Sequence, residues 1–68
     1  MPGVAEANTQ YGPGASATGG DSVAVGDSAK ATAGHATAVG TLTEADGTNS
    51  FVAGLQAKSG ATAETVLP

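Results

Sequence analysis

Few residue types in this chain could do chemistry, and His35 with Asp21 is the first pair to consider. His35 is the only histidine of the 68 residues, and Asp21 precedes it by fourteen positions. Two such groups side by side could form half of an acid–base pair, but no nucleophile accompanies them and no pocket is implied. A hydrogen bond along the surface is the simpler expectation. Six carboxylates (Glu6, Asp21, Asp27, Glu44, Asp46 and Glu64) invite a calcium reading. They match neither the glycine–aspartate nonapeptide of calcium-binding rolls nor a helix–loop–helix calcium loop. Gly19-Gly20-Asp21 occurs once, and turn chemistry explains Asp46-Gly47 without a metal. With no cysteine, disulfides and Cys/His zinc sites are excluded. The glycines do not open a helix in a phosphate-binding pattern, and neither Asn8-Thr9-Gln10 nor Asn49-Ser50-Phe51 is a glycosylation sequon. The expectation is a chain with no catalytic, metal or cofactor-binding residue: not an enzyme.

Composition narrows the partners. A net charge of −4 with two lysines lacks the basic footprint that nucleic acid or an anionic membrane requires. Met1-Pro2-Gly3-Val4-Ala5-Glu6 does not read as a signal peptide, and no apolar run approaches the roughly 18 residues of a spanning helix. Most of the apolar content is alanine, with one Phe, one Tyr, one Met and no Trp. Chains of this size bury only about 60% of their unfolded surface and usually need a staple or an oligomer. Association with copies of itself or with a partner follows as the expectation.

The element that organises the chain is a repeat. Ser22-Val23-Ala24-Val25-Gly26 returns fourteen residues later as Ala36-Thr37-Ala38-Val39-Gly40 and again as Ser50-Phe51-Val52-Ala53-Gly54. Gly12, Gly26, Gly40 and Gly54 share one register as turn glycines, and the step reaches Thr65-Val66-Leu67-Pro68. Fixed-period self-similarity predicts a solenoid. Each unit opens with a small-apolar run suited to a strand covered on both sides. Val23, Val25, Phe51, Ala53 and Leu67 point one way along it; Ala24, Ala38, Val52 and Val66 point the other. A second segment, such as Ala29-Lys30-Ala31-Thr32-Ala33, alternates with period 2 and turns its alanines inward; Thr43, Ala45 and Gly47, then Ala57, Ser59 and Ala61, repeat it. Each coil is then strand, glycine turn, strand, turn. Stacked coils make ladders: Ser16, Lys30, Glu44 and Lys58 alternate in charge, and Asp21, His35, Asn49 and Ala63 form a second column. Residues 1–20 are rich in Gly and Pro and read as an extended arm, free to about Asn8 and then a degenerate first coil; residues 21–68 are the repeat domain.

The Ser-Val-Ala-Val-Gly run, the Ala-x-Ala segment after it and the 14-residue step resemble the head repeats of trimeric autotransporter adhesins of the YadA-like type, over residues 21–63. The resemblance implies an all-β fold: a left-handed parallel β-roll, packed side by side with two copies in a homotrimer. Val23, Val25, Val39, Phe51, Val52, Val66 and Leu67 would then pack the core and the trimer. Adhesins of that type carry a signal peptide, stalk and membrane anchor, which this sequence lacks, and a chain running from Met1 to one strand past its last repeat reads as a complete small gene product. Phage fibres and virion proteins use similar rolls. The expectation is therefore a phage capsid decoration (cement) protein in the virion, bridging capsomers through arm contacts from Val4 and Tyr11 to the major capsid protein. The alternative is the receptor- or matrix-binding head of an adhesin or tail fibre, at the bacterial cell surface in the adhesin case.

Overall fold

The computed structural model describes residues 8–67. Nine short strands follow one another: β1 (Thr9–Tyr11), β2 (Ser16–Ala17), β3 (Val23–Val25), β4 (Lys30–Ala31), β5 (Thr37–Val39), β6 (Glu44–Ala45), β7 (Phe51–Ala53), β8 (Lys58–Ser59) and β9 (Thr65–Val66). Odd strands form a five-stranded sheet in the order β1-β3-β5-β7-β9, and even strands a four-stranded sheet in the order β2-β4-β6-β8. All pairings are parallel and in the fourteen-residue register, as in Val23↔Thr37 and Thr37↔Phe51. This is a parallel β-solenoid of about four coils, as the repeat predicts. Residues 9–11, read from the sequence as the start of a degenerate first coil, form the first strand of the roll: Tyr11, also expected to make arm contacts, pairs with Val25, and its carbonyl accepts from the Gly26 N–H at 2.8 Å. Val4 lies outside the described residues.

A finer period underlies the fourteen. Gly14, Asp21, Ser28, His35, Leu42, Asn49, Gln56 and Ala63, spaced seven apart, all have positive φ between 57° and 75°. Each occupies a corner, so a coil is two similar halves, each a turn followed by a strand. The turns close by bonds such as Ala29 N–H to Gly26 O (3.2 Å) and Ser50 N–H to Gly47 O (3.2 Å). The corner residue's own N–H donates to the coil before it, as in His35 to Gly20 O (2.7 Å) and Leu42 to Asp27 O (2.9 Å). The ladder thus continues round the corners, and backbone groups that a turn would normally leave to water are paired.

Two strands facing each other across so thin a coil leave room only for small side chains. The interior holds Ala17, Ala24, Ala29, Ala31, Ala36, Ala38, Ala45 and Val52, with Ser22, Thr43, Ser50 and Ser59. Ser22 and Thr43 donate their hydroxyls to the turn carbonyls Gly19 O (2.8 Å) and Gly40 O (3.0 Å). Ala61, expected inward, is exposed: its turn belongs to the last described coil, with no coil above to cover it.

The lower end is closed by side chains. Asn8 and Gln10 occupy positions that later coils fill with Ser22 and Ala24. Gln10 Oε1 accepts from the Ala17 N–H at 2.9 Å, and Asn8 Nδ2 donates to the Ala17 carbonyl at 2.7 Å. Asn8 Oδ1 also accepts from the Ser22 N–H at 3.2 Å. These bonds occupy the β2 edge, which would otherwise offer itself to another strand.

Gly40 has φ of 126°, and a Cβ there would lie 2.6 Å from the Gly54 carbonyl oxygen. Gly40→Ala should therefore destabilise the fold by about 2 kcal/mol or more. Gly34→Ala, whose Cβ meets nothing within 4 Å, should stay within about 0.5 kcal/mol of the parent. Urea unfolding of both variants checks the contrast. For the closed end, Gln10→Ala and Asn8→Ala should each cost about 1–2 kcal/mol and, in hydrogen exchange, speed exchange at the Ala17 amide in particular; unchanged exchange there would remove the capping role.

Candidate functional site

The outer face of the five-stranded sheet is where this fold departs most from an ordinary surface. Strand alternation turns Ala24, Ala38 and Val52 inward and leaves two columns outside. One runs Thr9, Val23, Thr37, Phe51, Thr65; the other runs Tyr11, Val25, Val39, Ala53, and Leu67 continues it. Val23, Val25 and Ala53 are half-buried, whereas Phe51 is 42% and Tyr11 77% exposed. No residue of either column is charged. Charged residues among those described (Asp21, Asp27, Lys30, His35, Glu44, Asp46, Lys58, Glu64) all lie elsewhere on the roll.

Of the residues expected to pack the core and the trimer, only Val52 is buried within the chain. Val66 is half-buried against the core, Val23 and Val25 are half-buried on the outer face, and Val39, Phe51 and Leu67 are exposed there. Their exposure has a direct cause. The interior admits alanine, so the larger apolar side chains stand on the outside.

The opposite face is polar. Outward positions of the four-stranded sheet carry Ser16, Lys30, Glu44 and Lys58 in one ladder, and Lys58 Nζ reaches Glu44 Oε1 at 3.2 Å. Beside it Thr32 Oγ1 donates to Asp46 Oδ1 at 2.5 Å. At one corner His35 Nε2 lies 3.5 Å from Asp21 Oδ2, with both side chains more than 60% exposed. A contact so open to water contributes little to stability. No nucleophile joins it. At the upper end Glu64 Oε1 accepts from Ser59 Oγ at 2.7 Å. The Ser50 hydroxyl is buried without a hydrogen-bond partner, one turn of the roll beyond Ala36 in an inward column. Among the described residues no group of three or more His, Cys, Asp or Glu could hold a metal ion, and no helix is long and apolar enough to cross a membrane.

Two features escaped the sequence reading. The corner leucines Leu42 and Leu55 are 47% and 70% exposed, and Leu42 sits at φ 61°. The corners carry no common residue type that would mark them in the sequence, since Gly14, Asp21, Ser28, His35, Leu42, Asn49, Gln56 and Ala63 all hold one. The end-closing role of Asn8 and Gln10 has no signal either, since polar residues in a Gly-rich stretch look like loop.

Comparison with known proteins agrees with this geometry. No curated protein and no solved structure matches the chain significantly. The YadA head domain repeat does match, over residues 12–29, 17–43 and 31–57. Those segments span β2 to β7 and take in all four register glycines. With parallel coils, inward alanines and turn glycines all in that repeat's frame, the chain belongs to the YadA head domain repeat family.

Proposed function

We propose that this chain is a non-enzymatic, adhesin-like head unit that assembles with two copies of itself through the uncharged face of the five-stranded sheet. The assembly would display its polar four-stranded face, with Lys30, Glu44 and Lys58, towards a receptor or matrix at the bacterial cell surface. One observation carries the reading: the larger apolar side chains lie outside the subunit, on a face without charge. An exposed apolar patch of this kind marks an interaction site. Copies of a chain with net charge −4 repel one another unless they meet on a surface free of carboxylates.

An alanine interior supports the same conclusion. Each buried methyl contributes only about 0.8 kcal/mol, so a single roll gains little from its own core and gains more when a neighbour covers Val25, Val39 and Phe51. Family membership supports the head-domain reading over capsid decoration.

Sedimentation of the purified chain should give three times the chain mass. Val39→Asp and Phe51→Asp change residues outside the core, so each variant should keep its β-sheet circular dichroism. Burying an unpaired carboxylate at the interface should raise the dissociation constant a hundredfold or more, about 3 kcal/mol. A parent chain that sediments as a monomer would overturn the assembly. For function, the assembled parent should bind immobilised extracellular-matrix preparations; retention on emptied phage heads instead would restore the capsid reading.

A further inference from the structure

We infer that the corner carrying Leu42 and Leu55 is the second half of the contact between copies, docking on the uncharged sheet face of the neighbouring chain. The inference rests on the threefold self-association proposed above and names the surface that assembly needs. A ring of three copies has heterologous contacts: each subunit offers one surface to the neighbour on its left and a different one to the neighbour on its right. A face that meets itself across a twofold axis gives a dimer and stops, whereas in a ring the two contacting surfaces differ. A second apolar surface flanking the face would serve as the complement, and the structure offers one.

Away from the two columns of the sheet face, the large exposed apolar side chains among the described residues are Leu42 and Leu55. They lie on successive coils at the corner that follows the end of the face, in the turns after Gly40 and Gly54. Gln56 N–H donates to Thr41 O at 2.9 Å, which places Leu55 beside Thr41 and Leu42 beside Gln56 in the stack. The apolar surface thus runs from Val39 round the corner. Neither turn contains a charge: one reads Gly40-Thr41-Leu42-Thr43 and the other Gly54-Leu55-Gln56-Ala57. Asp27 is the one carboxylate of this corner, one coil below, where its carbonyl accepts from the Leu42 N–H at 2.9 Å. The two upper turns fit an uncharged face and set no carboxylate against it.

The local chemistry argues against leucine here for the subunit's own sake. The position of Leu42 is held by Gly14, Ser28 and Gln56 in the other coils, and that of Leu55 by Pro13, Asp27 and Thr41. These are turn residues in exposed turns. A leucine at φ 61° is a backbone outlier for a bulky side chain, and half its surface faces water. The two leucines sit in stacked turns and both break the pattern of their columns. Burial against a neighbour accounts for both departures.

The test takes substitutes from equivalent positions in the chain itself. Leu42→Gly restores the residue of the first coil, where Gly14 holds φ 75°, and Leu55→Thr restores Thr41. At concentrations low enough that both are monomeric the double variant should be at least as stable as the parent, and by sedimentation it should associate roughly tenfold or more weakly. Mixing provides the sharper readout. A chain with an intact face and altered corner, combined with the Phe51→Asp chain, whose corner is intact, should form a one-to-one heterodimer that cannot close, at concentrations where each alone is monomeric. A mixture that stays monomeric, or a double variant that assembles like the parent, overturns the corner while leaving self-association through the face in place. A parent that is itself monomeric overturns both.

Discussion

Every seventh residue from Gly14 to Ala63 turns the chain through the left-handed region, and the rest of the structure depends on that rhythm. A corner residue does three things at once. It reverses the strand direction, leaves its N–H aimed at the carbonyl of the coil before, and returns the next strand in phase. Because the side-chain period of a strand is two, a slip of one residue would turn every inward alanine outward. The corner hydrogen bonds, such as Asn49 N–H to Gly34 O at 3.0 Å, resist that slip independently of side-chain packing. The register glycines add a steric lock. Gly26 at φ 130° leaves no room for a Cβ against the Gly40 carbonyl, so successive backbones approach more closely there than any other residue would permit.

Close approach decides where the apolar side chains can go. With the sheets held near enough for Ala24, Ala38 and Ala31 to be wholly buried, valine is the largest side chain fully buried inside, and only at Val52. Phe51, Val39 and Leu55 are left to the surface. The usual relation between core and surface is thereby inverted: backbone hydrogen bonding specifies the subunit, and the larger hydrophobic groups are available for association. In such a protein, stability and oligomeric state are linked through mass action, so strengthening the face would also raise the apparent stability of the roll.

Much of this was legible from residue order. Gly12, Gly26, Gly40 and Gly54 announce the fourteen-residue coil because their steric requirement allows no substitute. The inward columns were legible because alanine recurs there. The half-coil was not. Its corners are filled by Asp, Ser, His, Leu, Asn, Gln and Ala, residues with no common composition, and the second turn alternates Gly19, Ala33, Gly47 and Ala61. The first coil is legible only as a degenerate one, because Gly12, Pro13 and Gly14 resemble linker, whereas the backbone of Thr9–Tyr11 pairs with β3 regardless of side-chain type. The uncharged face was legible residue by residue, but its meaning waited on the finding that Val39 and Phe51 have no interior to enter.

The two ends of the roll follow from the same packing limit. One inward column reads Asn8, Ser22, Ala36, Ser50, Glu64, and the next reads Gln10, Ala24, Ala38, Val52, Val66. Asn, Gln and Glu appear only in the outermost described coils. Between stacked coils these columns are wholly or almost wholly enclosed, with no space or solvent for a long polar side chain. At the outer coils the enclosure opens, and the same positions let a side chain fold across the end. Gln10 and Asn8 reach Ala17 below, and Glu64 reaches the Ser59 hydroxyl above. Side chains that would disrupt the interior thus serve the ends, where they satisfy polar groups of the opposite sheet. Occupying the Ala17 backbone groups makes the β2 edge a poorer partner for a further strand.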